Sequence, residues 1–228
     1  MFYAKPSGTY AYNSTEGTAN IKAVYDYLHP EGYTKASIIG ILGNIAGESG
    51  YNPWYWQNDI YAPTDPNAGY GLLQFTPAYD YLNVTGIPNH APNLSTSQQT
   101  AGADPNDAKG QLYCFVNDTF NKWYSPLWRS YWSPTAYPDL YAMSQAILNQ
   151  FGSGGNLSQA QFMQITDYQS AVMAFLGCYE GPLIPNYTAR KNYADNVKTI
   201  LDNYNGDLLS DILFMKKIRD KNFNVLLY

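Results

Sequence analysis

Among the carboxylates of this chain, Glu48 stands where proton-transfer chemistry is easiest to build. It lies in GNIAGESGYNP, residues 43–53, at the end of an apolar row made by Ile38, Ile41, Leu42 and Ile45. Helical spacing puts Glu48 on the edge of that row, with Ile41 and Ile45. Partial burial disfavours a charged carboxylate, and so does the partial negative charge at a helix C-terminus. Both effects are expected to raise its pKa, as a general acid near neutral pH requires. A purely structural helix end would carry Lys or Arg, so the local rule is broken here. The plain alternative is a solvated surface Glu. A second polar element is GYGLLQFTP, residues 69–77. Gly69 and Gly71 permit a tight backbone there, and Leu72 and Leu73 can anchor it. Gln74 then offers an amide donor and acceptor. Trp54, Tyr55 and Trp56 crowd just after Glu48, as ring platforms or as core, and Trp56 is the one expected at the site.

Such groups need rigid elements to hold them. Residues 1–18 read as an extended N-terminal arm. The row Ile21, Val24, Tyr25, Leu28 reads as a helix, broken by His29-Pro30-Glu31-Gly32. Thr34 is the expected N-cap of a second helix running to Glu48. Residues 50–70 read as loop or short hairpin, and 83–106 as a long loop. Helical patterns then cover 107–123, 137–151, 159–178 and 187–204. The stops are Gly152-Ser153-Gly154-Gly155 and Gly181-Pro182. The fold class is α+β, mostly helical, with one domain over 19–204. Residues 205–228 combine an amphipathic stretch, the basic KKIRDK and the apolar FNVLLY. They read as a tail for docking or assembly.

Composition removes several function classes. The 228 residues are 45% hydrophobic and 14% charged, so a packed core is expected rather than disorder. No apolar run approaches the roughly 20 residues of a membrane span. The start, MFYAKPSGTYAYN, lacks the pattern of a secretory signal peptide. A net charge of -5 argues against nucleic acid as a partner. The 23 Tyr and 5 Trp suit stacking on sugar rings, and equally suit protein contacts. Cys114 and Cys178 have no metal-ligand spacing; two buried free thiols are expected, with one disulfide as the alternative. His29 and His90 read as loop residues. No metal or cofactor is expected.

The pairing of ESG with GYGLLQ resembles the ES…GLxQ pattern of goose-type lysozymes and lytic transglycosylases. The fuller stretch GNIAGESGYNPWYWQN…GYGLLQFTPAYDY is more specifically similar to the phage tail lysozyme family, cell-wall hydrolases at the tail tip of bacteriophages. FLGCYEGP, residues 175–182, resembles a late Tyr-Glu-x-Pro segment of that family. The resemblance spans roughly residues 20–200. It implies a lysozyme-like fold with a small β-element and a cleft between lobes. It also implies Glu48 as general acid cleaving the MurNAc-GlcNAc bond of peptidoglycan, with Gln74 as a cleft residue. Trp56, Tyr70, Tyr179 and Glu180 are further residues expected at the substrate. The implied setting is the virion tail, acting on the host wall beside other tail proteins. Two departures stand out. Segment 86–140 is long and aromatic, and no HxH-type zinc set exists for the peptidase that many members carry.

Glycosidases usually pair the acid with a second carboxylate. Asp59 and Asp65 are the candidates after Glu48, and both also read as turn formers. Glu180 is a third, with an ion pair to Arg190 as its structural reading. Glu48 acting alone, with the sugar's own hydroxyl as nucleophile, is the transglycosylase route. A structural tail-tip protein that binds glycan without cutting it, and a free endolysin, are the other functions that fit.

Overall fold

The computed structural model describes residues 1–89 and 107–204. The expected tail at 205–228, His90 and much of the long loop at 83–106 lie outside the described residues. No helix among the described residues is long and apolar enough to cross a membrane.

The fold is organised around one apolar helix. Helix α1 spans Thr15–Leu28 and α2 spans Lys35–Glu48. The Thr34 hydroxyl accepts the Ser37 N–H at 3.0 Å, which caps α2 as its sequence predicts. Then come α3 (Ala78–Leu82), α4 (Asp107–Val116), α5 (Pro138–Phe151) and α6 (Gln159–Phe162). Helix α7 (Tyr168–Phe175) runs into a π-helical turn at Leu176–Glu180, and α8 covers Tyr187–Asp202.

Glycines on α2 set how closely its neighbours approach. Gly40, Gly43 and Gly47 lie on adjoining sides of the helix. A Cβ at Gly40 would sit 2.5 Å from the Ala171 carbonyl carbon of α7, and one at Gly43 would sit 2.8 Å from the Ala194 Cβ of α8. Each glycine costs the helix up to about 1 kcal/mol of propensity, and close packing against two helices offsets it. Asn44 ties this seam by donating from Nδ2 to the Val172 carbonyl at 3.2 Å.

Four expectations about elements change, the first being that the helix read over 107–123 ends at Val116. Helix α1 begins inside the stretch read as an arm, because Ser14 accepts the Gly17 N–H at 3.0 Å. The residues before it are fastened to the domain. Asn20 exchanges hydrogen bonds with Tyr3, and Asn52 Nδ2 donates to the carbonyls of Lys5 and Gly8. The helix read over 159–178 is interrupted between α6 and α7. The Met163 and Ile165 carbonyls turn to serve Thr34, and Asp167 caps a fresh helix through the Ser170 N–H. The expected small β-element is reduced, among the described residues, to isolated antiparallel bridges such as Trp56–Tyr70 and Tyr70–Phe75. Left-handed backbone at Asn58, Asp59 and Gln74 interrupts any longer strand.

Cys114 and Cys178 are both free and buried, as expected. Burial pushes their thiols up, to about 11 and about 12. Beneath the loop of residues 54–76, Asp107 accepts hydrogen bonds from Tyr81 Oη at 2.7 Å, Tyr70 Oη at 3.0 Å and Gln111 Nε2 at 3.0 Å. Burial and the neighbouring Asp107 push both tyrosine hydroxyls well up. Asp107→Ala would strand these donors in the interior and is expected to cost about 3–5 kcal/mol. Urea denaturation measures that loss.

Candidate active site

A pocket of about 580 Å³ opens at the C-terminal end of α2. Glu48, Tyr55, Gln74, Lys122, Tyr179 and Glu180 line it, from segments far apart in the chain. Glu48 is the last residue of α2. Ser49 follows it fully buried, and its hydroxyl donates to the Leu72 carbonyl at 3.1 Å. That bond fastens the helix end to the GYGLLQ segment, so the two parts of the motif are physically joined. Gln111 secures the same loop, accepting from the Leu72 N–H at 2.7 Å and donating to the Pro53 carbonyl at 2.8 Å.

Gln74 sits in left-handed backbone with φ of 45°. Such residues concentrate at functional sites, held by their surroundings. Its Nε2 donates to the carbonyls of Tyr55 at 3.1 Å and Gly71 at 3.0 Å. The amide therefore ties two segments of the pocket wall together. Gly69 leaves it room, since a Cβ there would lie 2.7 Å from Gln74 Oε1.

Glu180 arrives through the π-turn that continues α7. The Gly181 N–H reaches back to the Leu176 carbonyl at 2.8 Å, closing the wider turn. Such turns recur at functional sites, because the added residue redirects side chains. Gly177 allows it: a Cβ there would stand 2.2 Å from the Leu127 carbonyl oxygen. Tyr179 stacks on Phe175 with ring centroids 4.8 Å apart. Glu180 Oε1 is shut away from solvent without a hydrogen-bond partner. Burial, and next the charge of Glu48, hold its carboxyl well above the usual carboxylate range; Arg190 and Lys122 oppose them.

Arg190 of α8 pairs with Glu48, through Nη2 to Oε1. The ion pair read for Glu180 thus belongs to Glu48.

The structure brings Glu48, Gln74, Tyr179 and Glu180 together and leaves four other candidates out of the pocket wall. Asp59 accepts the Gly8 N–H at 2.6 Å, and Asp65 accepts the Asn67 N–H at 2.8 Å; both bonds are exposed. Asp65 thus serves its own turn, and Asp59 fastens the N-terminal segment. Trp56 is core, packed on Tyr61 and Tyr70 with centroids 4.9 Å away. Tyr70 is core too, bonded to Asp107. Tyr55 and Lys122 line the pocket in their place. Trp54 and Trp56 point inward together, and Tyr55 between them points the other way. That alternation was the available signal for Tyr55. Lys122 donates to the Thr76 carbonyl across the pocket rim, a contact no local pattern announces. Of the aromatic segment at 86–140, Trp123 and Trp132 donate to the Leu157 and Pro182 carbonyls, each at 2.8 Å, and so buttress the scaffold.

A mostly helical domain whose ESG helix end and GYGLLQ loop meet at one pocket has the features of a lysozyme-like protein. The chain belongs to the phage tail lysozyme family, whose profile matches residues 19–201. It is also similar to Morphogenesis protein 1 of Bacillus phage B103, at 46% identity over 84 residues. That stretch is 36% of this chain and 21% of the relative, so only about a fifth of the relative is matched.

Proposed function

We propose that this protein cuts the glycan strands of bacterial peptidoglycan at the MurNAc-GlcNAc bond, from a phage tail, to open the host wall during DNA delivery. The observation that carries this is the meeting of two carboxyl groups, Glu48 and Glu180, in one pocket with a buried cation beside them. Glycoside cleavage needs a proton for the leaving oxygen and a group that answers the positive charge growing on the sugar ring. Glu48 is the proton donor to the leaving oxygen. Glu180, whose carboxyl is raised by burial and next by the charge of Glu48, is the second carboxyl of the reaction.

The remaining lining suits a sugar. Tyr55 lines the pocket with an aromatic ring, and Tyr179, stacked on Phe175, adds to its wall. Lys122 and the Gln74 carbonyl oxygen offer polar contacts to hydroxyl and acetamido groups. With a net charge of -5, grip on the strand comes from stacking and hydrogen bonds and not from attraction to anionic wall polymers. Peptidoglycan and other tail proteins are the partners, with no role for nucleic acid.

A gel with embedded peptidoglycan separates this from a structural tail protein of the same fold. A cleared band at the chain's mass is the expected result. A correctly refolded chain that leaves no clearing favours the structural protein.

A further inference from the structure

Gly47 has a different neighbour from the other glycines of α2. Gly40 and Gly43 face the backbone and small side chains of packed helices, whereas Gly47 faces a charge. A Cβ at Gly47 would lie 2.1 Å from Arg190 Nη1, 2.4 Å from Cζ and 2.8 Å from Nε. Three guanidinium atoms this close mean that the planar group lies over the position Gly47 leaves open. From there Nη1 donates to the Asn44 carbonyl and Nη2 to Glu48 Oε1. The Arg190 side chain is only 11% exposed.

We propose that Arg190 is a positioning residue for the glycan-cleaving reaction: seated on Gly47, it sets how the Glu48 carboxyl faces the pocket. This rests on the reading of Glu48 as the reacting acid. The geometry supplies the reason. One rigid fork spans a backbone acceptor and the carboxylate, so the carboxylate inherits the orientation of the helix backbone. The Asn44 carbonyl belongs to the last turn of α2, where the negative end of the helix favours a cation. A Lys ammonium in the same place is a point charge on a flexible stem and lacks the planar fork. Gly47 is then a requirement of the site as well as of helix packing. Alanine would improve helix propensity there and still expel the guanidinium.

Glu180 on the π-turn feels charges from separate elements: Glu48 on α2, which raises its carboxyl, and Arg190 on α8 and Lys122 from the segment after α4, which oppose the rise. Glu180 therefore reports on the seating of Arg190 independently of turnover.

The test is a double-mutant cycle on the full chain with Gly47→Ala, Arg190→Gln and both together, plus Arg190→Lys, assayed on soluble glycan strands. Circular dichroism checks that each variant folds. Each single change is expected to lower kcat about 10–100-fold with little change in KM, the scale of a misplaced reacting group. The double variant falls no further than the worse single, because both act through one contact. Arg190→Lys keeps the fold and recovers only a minor part of kcat. Carbon-13 titration of Glu180 moves further up in Gly47→Ala and Arg190→Gln alike, as an opposing cation leaves. Wild-type kcat in Gly47→Ala, additive losses, or full recovery by Lys would each overturn the proposal. An inactive wild type overturns the reaction itself, and this role with it. An unmoved Glu180 titration in an active Arg190→Gln variant overturns the seating of Arg190 alone.

Discussion

Glu48→Gln is expected to slow the clearing of peptidoglycan sheets by about 10³-fold or more while the protein stays folded. The loss is large because an amide has no proton to give, and general acid catalysis contributes about 10²–10⁴-fold. It also removes the charge that Arg190 holds in place. The fold survives because Gln is nearly the same shape and its carbonyl oxygen can still accept from Arg190 Nη2. Exchanging a charged acceptor for a neutral one there is expected to cost about 1–2 kcal/mol. Turbidity decay of purified sheets measures the first effect and thermal unfolding the second. Clearing at the wild-type rate by this variant would show that Glu48 is not the acid.

Glu180→Gln is expected to act in opposite directions on activity and on stability. Activity falls about 10²-fold, since the second carboxyl and its proton are gone. Stability follows from linkage. The Glu180 carboxyl is held above its unfolded value, so between those two values the folded state binds more protons than the unfolded chain. Its contribution to stability is therefore fully present below the unfolded pKa and is lost as pH rises through the folded one. The slope is at most about 1.4 kcal/mol per pH unit for one group. Gln carries no such penalty. The variant and wild type should unfold at nearly the same urea concentration near pH 4, and the variant should gain on wild type as pH rises toward 7. A difference independent of pH would mean that the buried carboxyl does not hold its proton in the folded state.

Helix α2 was legible from the sequence because its signals are local. Thr34 caps it through a residue three positions on, and the row Ile38, Ile41, Leu42, Ile45 needs only a helical period. The break after α6 was not, because its carbonyls are claimed by Thr34 from 131 positions away. The same contrast divides the site. ESG and GYGLLQ could be matched as motifs, and the structure joins them through Ser49 and Leu72. Arg190 reaches Glu48 across 142 positions, and no local pattern assigns it to Glu48 over Glu180. Asp59 and Asp65 looked available because position in the chain says little about direction. The Asp59 carboxylate accepts the N–H of Gly8 in the N-terminal segment, and that of Asp65 accepts the N–H of Asn67 in its own turn. Composition alone does not separate Trp56 from Tyr55, whereas strand-like alternation decides which ring faces the pocket.

If this pocket breaks a glycosidic bond through Glu48, the cut leaves a chemical signature in the released fragments. Mass spectrometry of fragments released from purified peptidoglycan, by wild type and by Glu48→Gln in parallel, tests it most directly. Wild type is expected to release muropeptides with uncut peptide stems and new muramic acid ends, and the variant none above background. Reducing muramic acid would mark hydrolysis, and anhydro-muramic acid would mark transglycosylation. Fragments with intact glycan strands and cut peptides, or new glucosamine ends, or equal release by the variant, would contradict it.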